Sequence, residues 1–314
     1  MVYGFGVDLG GTGIKFACFD ETGDLREIWE RPTPLEQNGQ RILPEIAEGI
    51  LSYCKEKKLD RVLGIGIGVP GAVDATGVVD GCVNLGWGTV NVKKELETLT
   101  GFPVAVGNDA SVAALGECWF GGGKGHKNMV MITLGTGVGG GVVVDGKLLW
   151  GAHGAAGEIG HMVLDARETA VCSCGKRGCA EQYCSATGVV RLAKKHLAAT
   201  AFPSELKGRK AFTCKDVFDA AARGDIPAIE VLERFYDYLG QLIANVCCVI
   251  NPEIVVLGGG VSKAGQPLLD GAKEYFQTHC FYPCRNTEFA LATLGNDAGV
   301  YGAYQLLKES VSAK

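Results

Sequence analysis

Two stretches of this chain repeat one pattern, in which a strand-like run ends in a glycine-rich turn and a second strand-like run follows. They are YGFGVDLGGTGIKFACFD (residues 3–20) and MVMITLGTGVGGGVVVDGKLLWG (residues 129–151). In the first, apolar residues alternate with other residues on both sides of the glycines, which is typical of half-buried β-strands. Because a second hairpin of the same kind occurs far along the chain, we expect two domains with a common topology.

Helix-like and strand-like segments alternate through the remaining sequence. ILPEIAEGILSYC (42–54) and ASVAALGECWF (110–120) are helix-like, and RVLGIGIGVPGAV (61–73) is strand-like. A long helix is predicted over 227–250, before a strand that ends in the glycines of IVVLGGGVS (254–262). The alternation predicts an α/β fold with largely buried sheets, whose ligands bind beyond the carboxyl ends of the strands.

Composition narrows the class of protein. Of 314 residues, 47% are hydrophobic and 21% charged, and the net charge of −5 disfavours nucleic acid and anionic membranes as partners. The N-terminus has no secretory signal pattern and no apolar run is long enough for a membrane helix, so a cytoplasmic protein is predicted. We expect the thirteen cysteines to be reduced, with Cys247 and Cys248 in the core.

The first glycine turn is a candidate phosphate-binding loop of an uncommon kind. A dinucleotide-binding fingerprint would continue into a helix, and a Walker A loop would need Gly-Lys-Ser/Thr, whereas here a strand follows. The backbone N–H groups and Thr12 could still face a phosphate, and Asp8 could hold Mg²⁺. Taken alone, the pattern favours a simple hairpin turn.

Asn108 and Asp109 lie where a predicted strand ends and a predicted helix begins. One interpretation is structural, with Asp109 or Ser111 as the helix N-cap. The other is catalytic, because a carboxylate at the edge of an α/β sheet can act as the general base that phosphoryl transfer to a hydroxyl requires.

A cluster of sulfur is the most unusual local feature. His161, Cys172, Cys174 and Cys179 have the spacing H-x10-C-x-C-x4-C, and one imidazole with three thiolates is a usual ligand set for structural zinc. A reduced, metal-free loop is the alternative, and Cys184 is a rival fourth ligand that we rank below His161.

Two carboxylates lie in the same part of the chain. Glu158 and Glu181 would be ordinary exposed charges if they stood alone. Attached to a loop that a metal holds, they and His161 could bind several hydroxyl groups at once, which suits a sugar.

These motifs together resemble the ROK family of bacterial sugar kinases and repressors. They are DLGGTGIK (8–15), GND (107–109), TLGTGVGGG (133–141), GEIGH (157–161), CSCGKRGC (172–179) and VLGGGVS (256–262). The resemblance covers nearly the whole chain, and the local sequence around these motifs is most similar to that of glucokinases. It implies a two-domain actin-like ATPase (ribonuclease H-like) fold with an interdomain cleft. The expected domains are residues 1–115, on which a C-terminal helix (297–314) packs, and residues 116–296.

The resemblance also implies ATP, Mg²⁺ and a role for each matching residue. The first phosphate loop would comprise Asp8, Gly10, Gly11, Thr12 and Lys15, the second Thr133, Gly135, Thr136 and Gly137, and the adenosine loop Gly258 and Gly259. The sugar ligands would be Gly71, Asn84, Asn108, Asp109, Glu158, His161 and Glu181. Asp109 would also be the base for the 6-hydroxyl, and His161 would bind zinc together with the three cysteines.

The function predicted from the sequence is therefore ATP-dependent phosphorylation of glucose by a homodimer or homotetramer. N-acetylmannosamine or another hexose remains the alternative substrate, because the residues above do not distinguish these sugars. A non-catalytic sugar sensor is a weaker alternative. A DNA-binding repressor is not expected, because the phosphate loop begins at residue 8. An actin-type filament protein is a further class with the same fold, but it would not need Glu158, Glu181 or the zinc loop.

Overall fold

The computed structural model describes residues 1–312 and divides the chain into two compact units. The first comprises Met1–Lys127, Gly141–Gly157 and the described residues from Leu294 onward, and the second comprises Asn128–Gly140 and Glu158–Thr293. The domain boundaries expected from the sequence stay a prediction. Among residues 1–312, no helix combines the length and the apolar composition that crossing a membrane requires.

Helices and strands alternate as the sequence predicted. The strands are β1 (Tyr3–Leu9), β2 (Gly13–Asp20), β3 (Leu25–Pro32), β4 (Val62–Val69), β5 (Val78–Cys82), β6 (Trp87–Asn91), β7 (Val104–Asn108), β8 (Met129–Leu134), β9 (Val138–Val144), β10 (Lys147–Leu148), β11 (Ile254–Gly258) and β12 (Glu288–Leu291). The helices are α1 (Glu36–Gly39, a single turn), α2 (Ile42–Lys57), α3 (Val92–Thr100), α4 (Asp109–Phe120), α5 (Glu181–Cys184), α6 (Ala186–Ala199), α7 (Cys214–Ala222), α8 (Ile226–Ile250), α9 (Gln266–His279) and α10 (Ala298–Ser312).

Two five-stranded sheets have the same strand order. The first is β3-β2-β1-β4-β7, in which β2 is antiparallel to β1 and β3, and β1, β4 and β7 are parallel. The second is β10-β9-β8-β11-β12, in which β8, β11 and β12 are parallel. Each hairpin predicted from the strand–glycine turn–strand pattern is therefore present, and the two sheets have corresponding strand orders.

The core of the first unit forms where α2 and α3 cover one face of its sheet. Phe5, Phe16, Ile46 and Ile65 are fully buried there, in keeping with the helical stripe and the strand alternation of the sequence. Burying a side chain of this size stabilises the fold by about 2 kcal/mol.

The helix α10 packs within the first unit, against β1 and β4. Tyr304 stacks on Phe19 with ring centroids 4.4 Å apart, and its hydroxyl donates to the carbonyl of Asp20 at 2.6 Å. Of the helix predicted over 297–314, residues 313 and 314 lie outside the described part of the chain.

The long helix α8 begins and ends with local signals. Asp225 accepts a hydrogen bond from the N–H of Ala228 at 3.1 Å, and Asn251 ends the helix in the left-handed region at φ 48°. Cys247 is buried as predicted, but the prediction for Cys248 was wrong, because this side chain is exposed. Adjacent residues of a helix point in directions about 100° apart, so one apolar segment presents both environments.

Candidate active site

In the first unit, predicted site residues lie at the carboxyl ends of three neighbouring parallel strands. Asp8 is near the end of β1, Gly71 follows β4, and Asn108 is the last residue of β7. The strand register aligns Asp8 with Gly68, and Val69 with Asn108, so the three strands end at the same edge. This is the edge at which α/β sheets bind their ligands.

Asn108 connects this edge to α4. Its side-chain oxygen accepts from the N–H of Ser111 at 3.1 Å, and its amide donates to the carbonyl of Gly71 and to Asp109 Oδ1, both at 3.0 Å. The prediction that Asp109 or Ser111 caps the helix was therefore wrong, because Asn108 is the N-cap. Asp109 is the first helical residue, and its Oδ1 also accepts from the N–H of Ala110 at 2.7 Å.

Asp8 lines a cavity of about 350 Å³ together with Gly10, Thr12 and Lys15 of the predicted first phosphate loop. The pKa of Asp8 is raised to about 6, chiefly by burial and also by the negative charge of Asp109, while the positive charge of Lys15 opposes both. A partly buried carboxylate near a second carboxylate favours a cation beside it, so the donor set fits Mg²⁺.

Lys15 is held by a segment that the sequence reasoning missed. Its ammonium group donates to Asp297 Oδ1 at 2.8 Å and to the carbonyl of Asn296 at 3.0 Å, and Glu30 lies at 3.4 Å. The signal was available in the sequence, because Gly-Asn-Asp-Ala at 295–298 repeats Gly-Asn-Asp-Ala at 107–110. In both places a helix begins within these four residues, at Asp109 and at Ala298.

The first glycine turn is closed by hydrogen bonds of its own backbone. The N–H of Gly10 donates to Gly13 at 2.9 Å, and the hydroxyl of Thr33 donates to the carbonyl of Gly10 at 2.7 Å. Thr12 has an exposed side chain, and Asn84 lies next to Gly11 in an exposed 3₁₀ turn. Both predicted ligands are thus exposed, and the turn that contains Asn84 lies beside the loop that contains Thr12.

In the second unit, the other two predicted loops follow neighbouring parallel strands. Gly135 to Gly137 come after β8, and Gly258 at the end of β11 aligns with Thr133 in the strand register. Gly259 follows at once. A cavity of about 520 Å³ lies beside Thr136, and its lining also includes Thr187, Arg191 and Lys194 of α6 and Thr213, which the sequence reasoning did not select.

The four predicted metal ligands come together in the second unit. The ligand atoms of His161, Cys172, Cys174 and Cys179 all lie within 4.8 Å of one another. Cys174 Sγ and Cys179 Sγ are 3.6 Å apart, and Cys172 Sγ is 3.9 Å from His161 Nδ1. A tetrahedron with metal–sulfur bonds of about 2.3 Å has edges of about 3.8 Å, so the residues fit zinc.

The loop around this cluster depends on a close approach of the backbone. At Gly178 the φ angle is +72°, and a Cβ there would lie 2.0 Å from the carbonyl of Asp165. Only glycine fits such a position. The rival ligand Cys184 is fully buried in α5 and is not part of the four-residue group.

The predicted sugar-binding carboxylates lie beside the metal cluster and differ in environment. Glu158 is 59% exposed, and its Oε2 lies 4.0 Å from His161 Nε2. The other ring nitrogen of His161, Nδ1, lies near the thiol of Cys172, so the imidazole stands between the cysteine cluster and this carboxylate. Glu181 is the first residue of α5 and accepts from the hydroxyl of Ser173 at 2.9 Å and from the N–H of Val138 at 3.2 Å. Glu181 is thus fixed by its neighbours, whereas Glu158 is largely open to solvent.

This chain is similar to known proteins over nearly its whole length. The profile of the ROK family matches residues 4–310. A glucokinase from Halalkalibacterium halodurans is 44% identical over 312 residues, which cover 97% of this chain and 94% of that protein.

Two solved structures are also similar. The ROK hexokinase from Thermus thermophilus has a TM-score of 0.83 and 30% identity, covering 99% of this chain and 100% of that one. A ROK family glucokinase from Streptomyces griseus, in complex with glucose and AMPPNP, has a TM-score of 0.73 and 32% identity, covering 98% and 99%. The fold is accordingly the actin-like ATPase fold expected from the sequence, and the chain belongs to the ROK family.

Proposed function

We propose that this chain is a kinase that transfers the γ-phosphoryl group of ATP to the 6-hydroxyl of glucose. The observation that carries the proposal is the placement of Asp8, Asn108 and Asp109 at one strand edge in a chain of the ROK family. The similarity to glucokinases supports glucose as the sugar and ATP as the phosphoryl donor.

Asp109 is the proposed general base. Its carboxylate is oriented by hydrogen bonds from Asn108 and Ala110, and it accepts the proton of the attacking hydroxyl as the phosphoryl group is transferred. Asn108 is itself fixed by Gly71 and Ser111, so its side chain has a single orientation at the proposed sugar site.

The phosphate groups are assigned to the two glycine loops. Asp8 and Lys15 line the cavity at the first loop and supply the opposite charges that a metal–phosphate complex needs. Magnesium, when bound with ATP, neutralises charge on the phosphoryl oxygens. Gly258 and Gly259 are the proposed adenosine loop, and the cavity beside Thr136 lies at the second phosphate loop of the same unit.

Sugar recognition is assigned to Glu158, His161 and Glu181, with further contacts from Asn84. Carboxylates accept hydrogen bonds from hydroxyls, and buried or fixed acceptors discriminate strongly against analogues that lack them. The cluster of His161 with Cys172, Cys174 and Cys179 is the proposed structural zinc site that holds this segment. A homodimer or homotetramer in the cytoplasm completes the proposal.

The test is a coupled assay of ADP formation with purified protein. ATP consumption should be low without sugar and strongly stimulated by glucose, and the product should carry phosphate on the 6-oxygen by NMR. Mannose, N-acetylglucosamine and N-acetylmannosamine are assayed in parallel. A higher kcat/KM for an N-acetyl sugar would reject glucose as the substrate, and no stimulation by any sugar would reject the kinase.

A further inference from the structure

The carboxylate of Glu181 connects two loops that the proposed function treats separately. Its Oε1 accepts from the hydroxyl of Ser173, which lies between two of the predicted zinc ligands, at 2.9 Å. Its Oε2 accepts from the N–H of Val138, at the end of the second phosphate loop, at 3.2 Å. Because each oxygen has a donor from a different loop, the carboxylate cannot rotate without breaking one of the bonds.

The same short segment holds the second phosphate loop at two further points. The N–H of Ala186 donates to the carbonyl of Gly135 at 2.8 Å, and the hydroxyl of Thr187 donates to the carbonyl of Thr136 at 2.7 Å. Ser185 joins these contacts to Glu181, because its hydroxyl donates to the Glu181 carbonyl at 2.6 Å. The backbone of the loop is therefore positioned by residues 181–187.

The position of Ser173 depends in turn on the metal loop. Its neighbours Cys172 and Cys174 both belong to the four-residue ligand group, so a bound metal fixes the backbone on either side of it. Lys176, also in this loop, donates to the carbonyl of His161 at 3.0 Å. The hydroxyl of Ser173 is exposed but directed at Glu181.

We infer that Ser173 is a positioning residue through which the metal loop sets both the sugar-binding carboxylate of Glu181 and the second phosphate loop. This inference rests on the proposed function, because it assigns sugar to Glu181 and nucleotide to residues 135–137. It implies that a change in the metal loop also alters the binding of ATP, and that a change in the second phosphate loop also alters the binding of glucose.

The first test acts from the metal loop. Ser173→Ala removes one hydrogen bond to a charged group, and we expect KM for glucose and KM for ATP each to rise about tenfold. Ser173→Thr keeps the hydroxyl and should restore both constants. Zinc content, measured by metal analysis of the purified variants, should equal that of the parent protein.

The second test acts from the phosphate loop. A Cβ on Gly137 would lie 2.3 Å from Glu181 Oε2, which is the movable end of a side chain, so Gly137→Ala displaces the carboxylate without disturbing the core. We expect KM for glucose to rise about tenfold, although residue 137 lies in the nucleotide loop. Gly135→Ala is the matched control, because within the described residues a Cβ there meets no heavy atom within 4 Å. Its effect should be confined to KM for ATP.

The outcomes separate this inference from the proposed function. A parent protein without sugar-stimulated ATP turnover rejects the function. An active parent with Ser173→Ala at parental KM values and full zinc content overturns the inference alone. If Ser173→Ala loses zinc, the Gly137→Ala variant decides: a raised KM for glucose supports the connection, and an unchanged one refutes it.

Discussion

Replacing Asp8 by Asn should stabilise the first unit while removing a residue proposed for catalysis. The carboxylate is partly buried, and its pKa rises from 3.8 to about 6, first because of burial and then because of Asp109. The folded state therefore holds a proton on Asp8 more tightly than the unfolded state does. An Asn at this position has a similar shape and no charge to bury.

The size and sign of the change in the free energy of unfolding follow from this pKa shift. A carboxyl whose pKa is raised on folding loses stability as the pH rises from 3.8 to about 6, and the loss is complete above that range. The full penalty is at most about 3 kcal/mol, since each tenfold change in proton affinity corresponds to about 1.4 kcal/mol. We expect Asp8→Asn to raise the free energy of unfolding by about 3 kcal/mol at pH 8 and by about 1.5 kcal/mol at pH 5.

The assay is urea unfolding followed by tryptophan fluorescence, with EDTA and without nucleotide. This signal reports on the first unit, which contains all four tryptophans, Trp29, Trp87, Trp119 and Trp150. Asp60→Asn is a matched control that removes an exposed carboxylate and should change stability by less than about 0.5 kcal/mol at either pH.

Equal effects of Asp8→Asn at pH 8 and pH 5 would refute the reasoning, because a buried charge must give a pH-dependent difference. Destabilisation at pH 8 would also refute it. That result would mean that the carboxylate makes favourable contacts in the folded state that outweigh the cost of its burial.

Three further predictions concern activity. Asp109→Asn keeps an oxygen that can accept from Asn108 and Ala110, so glucose affinity should stay within about twofold. Because the amide cannot act as a base, kcat should fall about 10²- to 10⁴-fold. Near-normal turnover would exclude Asp109 as the base. Cys174→Ser removes one of four metal ligands and should lower zinc content and raise KM for glucose about tenfold; unchanged zinc by metal analysis would count against the site. Asp297→Asn weakens the ion pair that holds Lys15 at 2.8 Å and should raise KM for ATP about threefold to tenfold without changing KM for glucose; unchanged ATP kinetics would exclude a role for this pair.

The sequence predicted those strands and helices whose signal lies within the element itself. The period-two alternation predicted β1 with β2, the same strand–glycine turn–strand pattern predicted β8 with β9, and the apolar stripe predicted α2. The clustering of the candidate metal ligands was also predictable, because three of them are cysteines within eight residues and a short loop is enough to bring their thiols together. The β5–β6 hairpin was missed, since its glycines and polar residues give no clear alternation.

Several features of the candidate site were decided only by tertiary structure. Lys15 contacts Asp297 across 282 positions of sequence, and Glu181 contacts Val138 across 43, so no local pattern specifies either pair. The choice of Asn108 rather than Asp109 as helix cap depends on the backbone angle at which β7 enters α4. Residue type and short-range spacing are properties of the sequence itself, whereas the partner of a charged side chain depends on which distant segments the packed sheets bring to the same strand edge.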